Sequence, residues 1–328
     1  NVENTSGFHV TVEDSDRCPR MTGTQIEGVS VKPAPYWMQN RIWKAGMRPI
    51  NALVDITNYV MLATGQPSHA YDSDHIAGHI IVRRAGEGEK LQLLNGKELP
   101  LSTDDLVIAD DAGVVGLAGV MGGAKDSILP TTSKVILEIA NFQAAGIRRT
   151  ALRYENRTEA SARYEKGLDL MNTMKAVQRA CELVELLGAG EVVDGVMDVI
   201  ATDAYPTTVK LEPEKVNALL GTNVYEDEMR RILLSLGFGL DGDTILVPSW
   251  RGDVEHYSDI AEEVARFYGY NNIPDTLNAG MNERRGFSPV QKAENAIGAL
   301  CRTAGYNEII TYSFISPTYY DKLDLPKD

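Results

Sequence analysis

The segment from Arg48 to Asp72, RPINALVDITNYVMLATGQPSHAYD, constrains this chain more than any other. Its apolar residues recur at helical spacing, which predicts an amphipathic helix that ends at Gly65. The same segment carries polar side chains that a purely structural helix does not need: Arg48, Thr57, Asn58 and His69. Polar groups collected beside a chain reversal are typical of one wall of a binding site for a polar ligand.

The composition limits the class of protein. A chain of 328 residues with 43% hydrophobic and 24% charged residues is expected to form two or three soluble globular domains. Apolar runs stay below the roughly 18 residues that span a membrane, so we expect no membrane partner. The net charge of −14 argues against a protein that coats nucleic acid, although a local basic patch can still contact RNA.

The cysteines and the chain ends indicate a piece of a protein from a reducing compartment. Cys18, Cys181 and Cys301 are widely spaced and form no CxxC pair, which argues against structural zinc and favours the cytoplasm. The first residues, NVENTSGFHV, lack the basic and apolar regions of a signal peptide. Because they also lack an initiator methionine, we expect a fragment of a longer chain.

The pattern of elements predicts an α+β fold. Alternation over residues 9–32 predicts strands, and Pro33 and Pro35 then introduce a helix that ends at Gly46. Hairpins mix with helices instead of alternating strictly with them. The further predicted elements are short strands over 80–109, a glycine-rich strand and turn over 113–123, a strand over 133–142, and a helical stretch over 159–187 interrupted near Gly167.

The sequence pattern changes at two places, which divide the chain into three regions. Near residues 202–206 a new run begins, with strands and three helices that predict a compact second domain. The polar stretch 277–288 is typical of a linker. Residues 288–314 predict a helix and a strand of a third unit, which is too short to bury a core alone.

Three features have both a structural and a functional interpretation. The glycine cluster at 116–123 fits neither a phosphate loop nor a dinucleotide fingerprint, so it is either a tight turn or a floor where a ligand approaches backbone. His69 either caps the preceding helix or handles a proton at a pocket. Glu138, inside an apolar strand, points either to solvent or into a pocket, where a buried carboxylate needs a partner.

An acidic helix is the fourth such feature. Asp259, Glu262 and Glu263 fall on one helix face and Asp253 lies one loop earlier. Four carboxylates suit magnesium, whereas an acidic first turn alone is explained by capping and the helix dipole.

Several segments occur in the order of one known family: RCPR (17–20), DITNYVMLATGQPSHAYD, LAGVMGG, VILEIANF, RTEASARYEKGLD and PSWRGDVEHYSDIAEEVARFYGYNNIP. Together they resemble the beta chain of bacterial-type phenylalanyl-tRNA synthetase over essentially the whole chain. The resemblance implies a mixed-sheet B3/B4-type tRNA-editing domain over 1–202 and a small helical, winged-helix-like B5 domain over 203–275. Over 276–328 it implies a linker and the start of a class II synthetase-like domain.

The family's editing site hydrolyses tyrosine mischarged onto phenylalanine tRNA, and the resemblance assigns roles to matching residues. The implied catalytic residues are His69, Thr57, Asn58 and Thr158. The implied substrate-binding residues are Glu138, Arg48, Pro67, Gly122 and Ala160. The implied ligands of a magnesium ion shared with the alpha chain are Asp253, Asp259, Glu262 and Glu263.

The same resemblance implies partners and a reaction. The partners are the alpha subunit, in an alpha2beta2 heterotetramer, and tRNA(Phe); ATP is used by the complete enzyme but not bound by this part. Ester hydrolysis by a positioned water is expected, because no Ser-His-Asp arrangement is visible. Thr158-Glu159-Ala160-Ser161 departs from the family's frequent Thr-Asp-Ala-Ser, and we expect the extra methylene of Glu159 to shift the start of one helix. The alternatives are a non-catalytic scaffold or tRNA-binding module for the alpha subunit and a free-standing editing protein.

Overall fold

The computed structural model describes residues 9–125, 127–193, 195–202, 206–276 and 286–326. Two compact units divide the chain, residues 1–274 and 275–328. The domain boundary predicted at 202/203 adjoins residues 203–205, which lie outside the described residues, and it stays a prediction. None of the described helices is long and apolar enough to cross a membrane.

Strands of the first unit build the frame of the fold. In chain order they are β1 (Val10–Val12), β2 (Arg20–Glu27), β3 (His69–Asp72), β4 (Ile80–Arg84), β5 (Lys90–Gln92), β6 (Glu98–Pro100), β7 (Leu106–Asp110), β8 (Gly113–Leu117), β9 (Met121–Gly122), β10 (Val135–Asn141), β11 (Glu191–Val192), β12 (Met197–Ile200), β13 (Thr208–Lys210), β14 (Gly239–Asp241) and β15 (Thr244–Leu246).

The helices are divided between the two units. Those of the first unit are α1 (Tyr36–Lys44), α2 (Ala52–Thr64), α3 (Ala144–Arg153), α4 (Glu159–Tyr164), α5 (Asn172–Leu186), α6 (Pro213–Leu220), α7 (Glu226–Ser235) and α8 (Tyr257–Tyr268). The second unit contributes α9 (Pro289–Thr303) and α10 (Thr318–Lys322).

Two larger sheets organise the first two hundred residues. One has the order β1-β4-β7-β8-β9 and is mixed, because β1 runs parallel to β4 whereas the other pairs are antiparallel. The second has the order β11-β2-β10-β3, with β12 also paired to β2. Strands β5 and β6 form a separate hairpin across the predicted Asn95-Gly96 turn. The predicted α+β class is confirmed.

Strand β10 lies between two cores. All seven of its residues are buried. Because side chains alternate along a strand, Val135, Leu137 and Ile139 pack with the helices, whereas Ile136 and Ala140 pack between the two sheets. Glu138 shares the second face, so its carboxylate lies inside the core between the sheets.

Helix α2 packs in the core that Val135, Leu137 and Ile139 share with the helices. Local interactions fix both of its ends. The side chain of Asn51 accepts a hydrogen bond from the Val54 amide at 3.1 Å, and Gly65 ends the helix with φ of 77°. The predicted apolar stripe, Leu53, Ile56 and Val60, is buried in that core.

The region after residue 206 has its own hydrophobic core. Helices α6, α7 and α8 pack with the antiparallel sheet β13-β15-β14 around Val216, Ile232, Ile245 and Ile260. The predicted strands and three helices of this region are confirmed.

The second unit matches its predicted elements only in part. Helix α9 is present and capped by Ser288, but the strand predicted after it is wrong: residues 308–314 are irregular. A strand needs a neighbouring strand to complete its hydrogen bonds, and the described residues of the second unit supply none. Most of the predicted linker, residues 277–285, lies outside the described residues. In the first unit, helix α3 is an element that the sequence pattern did not predict.

A buried carboxylate ties α3 to the first sheet. Asp105 is 0% exposed. It accepts hydrogen bonds from Thr150 Oγ1 at 2.9 Å, from Tyr154 Oη at 2.5 Å and from the Ser102 amide at 2.8 Å, and it also pairs with Arg153. This cluster holds α3 against the start of β7.

Replacing Asp105 with alanine should therefore destabilise the fold strongly. We expect a loss of about 3 kcal/mol in the free energy of unfolding, because several buried donors lose their acceptor. Urea unfolding of the chain, followed by circular dichroism, measures this loss. The control is Asp111→Ala, whose side chain is 53% exposed and pairs with His79 at 3.0 Å; it should cost less than about 1 kcal/mol. Equal losses in the two variants would contradict a structural role for the Asp105 cluster.

Candidate active site

Two adjoining cavities open beside α2. The outer cleft has a volume of about 530 Å³ and lies between α2, β9 and the start of α4. The inner cavity lies between the two sheets. Residues lining both are Pro67, Ser68, His69, Val120, Met121, Gly122 and Ala160. The two cavities therefore adjoin along His69 and Gly122.

Helix α2 presents Thr57 and Asn58 to the outer cleft. Thr57 is buried and its hydroxyl donates to the Val54 carbonyl at 2.8 Å, so the oxygen retains acceptor capacity for a ligand. Asn58 is half-buried. Arg48 is exposed and does not line the cleft, although Met47 and Ile50 beside it do.

His69 stands at the boundary between the cavities. It is the first residue of β3, and α2 is capped by Gly65 instead, so the helix-capping interpretation is wrong. Its ring packs edge-to-face on Tyr71, with centroids 4.5 Å apart. Burial lowers the pKa of the imidazole to about 4, so His69 is neutral near pH 7.

A glycine makes room for this ring. A Cβ built on Gly122 would lie 2.4 Å from the Nε2 and Cε1 atoms of His69. Gly119, by contrast, occupies a turn with φ of 66°. The turn interpretation of the glycine cluster is therefore confirmed at Gly119, whereas the group that approaches Gly122 is the His69 ring, so a floor for a ligand stays a prediction.

Glu138 forms the end of the inner cavity. It lies directly opposite His69 in the antiparallel pairing of β10 with β3, and it is 6% exposed. Its Oε2 accepts a hydrogen bond from the hydroxyl of Tyr71. Burial raises the pKa of Glu138 to about 7, and the bond from Tyr71 acts in the opposite direction. Of the two interpretations of Glu138, the pocket-facing one is what the structure shows.

Helix α4 closes the cleft on the opposite side. Thr158 caps it by accepting from the Ser161 amide at 3.1 Å, while its own hydroxyl donates to the Val120 carbonyl at 2.8 Å. The hydroxyl proton of Thr158 thus holds the 117–122 turn in place. Glu159 pairs with Arg163 at 2.8 Å, and the helix starts at Glu159 directly after its cap.

Three polar residues of the inner cavity were not predicted from the sequence: Ser68, Tyr71 and Tyr164. Tyr71 follows His69 by two residues, so strand alternation would have placed both rings on one face. The Ser68 Oγ is buried without a hydrogen-bond partner in the described part of the chain. A buried hydroxyl of this kind is expected to meet a water or a ligand.

The acidic residues of the region after residue 206 do not form one cluster of free carboxylates. Asp253 and Glu263 both pair with Arg251, each at 2.7 Å, and Asp259 accepts from the His256 amide at 2.8 Å. Glu262 is exposed. Among the residues that the structure describes, no group of three or more His, Cys, Asp or Glu residues is arranged to hold a metal ion. The carboxylates here act as caps and ion-pair partners, and a magnesium site shared with another subunit stays a prediction.

Models of three domain families match the chain in succession. Residues 17–189, more than half of the chain, match the B3/4 domain, and residues 209–270 match the tRNA synthetase B5 domain. Residues 273–328 match the phenylalanyl tRNA synthetase beta chain CLM domain.

Similar proteins carry one name. The chain is 44% identical over 323 residues to the phenylalanine–tRNA ligase beta subunit of Moorella thermoacetica, covering 97% of this chain and 40% of that protein. The corresponding subunit of Clostridium acetobutylicum is 40% identical over 97% of this chain and 41% of its own length, and that of Geobacter metallireducens is 42% identical over the same shares. The chain thus spans about two fifths of the length of these relatives.

A solved structure is also similar, an N-terminal fragment of the phenylalanyl-tRNA synthetase beta-subunit from Pyrococcus horikoshii. The TM-score is 0.39 at 16% identity, over 82% of this chain and 77% of that one. The matched domains and the curated relatives show that the chain belongs to the family of phenylalanine–tRNA ligase beta subunits.

Proposed function

We propose that this chain carries the post-transfer editing site of a phenylalanine–tRNA ligase, which hydrolyses tyrosine wrongly attached to tRNA(Phe). The observation that carries the proposal is a buried carboxylate, Glu138, at the end of a cavity that adjoins an open cleft. A carboxylate in such a place is costly unless it meets a hydrogen-bond donor. The hydroxyl of a tyrosine side chain is such a donor.

The two cavities suit the two parts of this substrate. The inner cavity is lined by Tyr71, Phe142 and Tyr164 and ends at Glu138, which fits an aromatic side chain with a terminal hydroxyl. The outer cleft is larger and carries the polar groups of Thr57 and Asn58, which fit the ester and the terminal ribose. The scissile bond would then lie near His69, at the boundary.

Hydrogen bonding to Glu138 would distinguish tyrosine from phenylalanine in the inner cavity. An apolar pocket rejects a substrate with an added hydroxyl by only about a hundredfold, whereas a site built to bind a hydroxyl rejects the analogue lacking it by about 10⁴ or more. Phenylalanine in the inner cavity would bury Glu138 without a second donor. Tyrosine would donate a charge-assisted hydrogen bond to it.

Hydrolysis proceeds by attack of water on the ester carbonyl, which releases tyrosine and a free hydroxyl on the terminal ribose. With a pKa of about 4, His69 is a weak base at neutral pH. We therefore propose that His69, together with Asn58 and Thr57, orients the water or the ester carbonyl by hydrogen bonding. Positioning and polarisation then supply the rate. Thr158 holds the turn that carries Gly122, and Arg48 is left to contact the tRNA outside the cleft.

The complete enzyme extends beyond this chain. We assign it the family's ATP-dependent aminoacylation, an alpha subunit and tRNA(Phe) as partners, and a cytoplasmic location. Magnesium would be held jointly with the alpha subunit by Asp253, Asp259, Glu262 and Glu263, once the ion pairs of Arg251 have rearranged.

The discrimination can be measured with two substrates. Tyrosyl-tRNA(Phe) should be deacylated much faster than phenylalanyl-tRNA(Phe). Glu138→Gln should reduce the ratio of the two kcat/KM values by about tenfold to a hundredfold, the range for one hydrogen bond to a charged group. Single-turnover deacylation measures both rates. Equal rates on the two substrates, or an unchanged ratio in the variant, would refute the proposal and leave a scaffold role.

A second experiment tests the position of His69. Gly122→Ala places a methyl group where the imidazole lies, so the ring must move and the deacylation rate should fall by about a hundredfold. Gly86→Ala is the matched control, because its added Cβ would lie 3.5 Å from the nearest atom, in the side chain of Glu89. Melting temperatures of both variants exclude unfolding. Wild-type deacylation by Gly122→Ala would show that the ring position is not needed.

A further inference from the structure

Tyr71 is a buried residue of the inner cavity, and its hydroxyl has no role in the proposed function. It lies in β3, is 2% exposed, and stands diagonally across from Glu138, because Tyr71 pairs with Ile136 and His69 with Glu138. The Tyr71 hydroxyl donates to Oε2 of Glu138. The phenol and the carboxylate therefore form one unit on the wall of the cavity.

Packing fixes the hydroxyl in this place. The ring of Tyr71 stacks edge-to-face on His69 and belongs to the core between the sheets. Gly116 lies beneath the hydroxyl, and a Cβ there would be 3.6 Å from Tyr71 Oη. A ring held on both sides directs its hydroxyl with little loss of side-chain entropy on ligand binding.

Other titratable groups near Glu138 are neutral at physiological pH. Burial raises the pKa of the Cys18 thiol and of the Tyr164 phenol well above their usual ranges and lowers that of His69 to about 4. The cavity residues from the opposing sheet, Ile108, Gly116 and Leu117, carry no titratable group. Glu138, with a pKa of about 7, is the member of this set that changes charge near neutral pH.

We propose that Tyr71 is a specificity-positioning residue, which stabilises the ionised form of Glu138 and leaves its second oxygen to accept a hydrogen bond from the substrate's hydroxyl. This inference rests on the proposed function and deepens it. A carboxylate can only accept hydrogen bonds, whereas a protonated carboxyl can also donate one. The ionised form therefore demands a donor on the ligand, and the protonated form tolerates a ring without one.

Removing the Tyr71 hydroxyl is expected to raise the pKa of Glu138. A bond to the charged form favours that form, so the Tyr71 hydroxyl lowers the pKa of Glu138 against the effect of burial. Tyr71→Phe removes only this hydroxyl. Without it, protonated Glu138 persists to higher pH, and the preference for tyrosine appears only at higher pH.

The test compares wild type with Tyr71→Phe in two ways. The ratio of kcat/KM for tyrosyl-tRNA(Phe) over phenylalanyl-tRNA(Phe), with uncatalysed rates subtracted, should rise with pH through about 7 in the wild type and level off above it. In Tyr71→Phe the rise should shift upward by about one to two pH units. Carbon-13 NMR of labelled glutamate, assigned with Glu138→Gln, should show the same shift in the carboxyl titration.

Tyr164→Phe is the matched control. It also removes a buried hydroxyl from this cavity, but that hydroxyl donates to the Ala140 carbonyl at 3.0 Å and not to Glu138. Its pH midpoint should stay at the wild-type value. Identical titrations of Glu138 in wild type and Tyr71→Phe would overturn the proposal, as would a shifted titration with an unshifted ratio. If the wild type shows no preference for tyrosine, the proposed function fails, and the NMR titration still decides whether Tyr71 controls Glu138.

Discussion

The site depends on a single costly feature, a carboxylate buried between two sheets. Glu138 occupies a buried strand whose other residues, apart from Asn141, are apolar, and its face of the strand meets the opposing sheet. Such a group persists when its surroundings supply hydrogen bonds that offset the loss of hydration. Tyr71 supplies one of them, and under the proposed function the substrate's hydroxyl supplies a second.

The surrounding fold places this carboxylate at the end of a cavity that adjoins the outer cleft. The pairing of β10 with β3 puts His69 directly opposite Glu138, and Gly122 in the other sheet leaves space for the imidazole. Helix α2, capped by Asn51 and Gly65, forms one wall of the outer cleft. The capped start of α4 forms the opposite wall of this cleft. Each wall belongs to a different element, so the cavity requires the complete assembly of both sheets.

Local signals predicted much of this structure. The limits of α2, the strands around Asn95-Gly96 and the helices α4 and α5 follow from caps, turns and periodicity, which act within a few residues. The sequence left open whether the Glu138 side chain faces solvent or a pocket, because this depends on which face of its strand another sheet covers. Tyr71 was overlooked for the same reason: its partner lies 67 residues away in the chain. The acidic helix illustrates the converse, since spacing suggested four metal ligands whereas Arg251, which draws two of them into ion pairs, could not be located from spacing alone.

The central claim is that the inner cavity recognises a phenolic hydroxyl through Glu138. The most direct measurement is isothermal titration calorimetry of this chain at pH 8 with two adenosine analogues that carry tyrosine or phenylalanine through an amide in place of the ester. The tyrosyl analogue is predicted to bind at least about tenfold more tightly, the effect of one charge-assisted hydrogen bond. Equal affinities, or tighter binding of the phenylalanyl analogue, would contradict the claim.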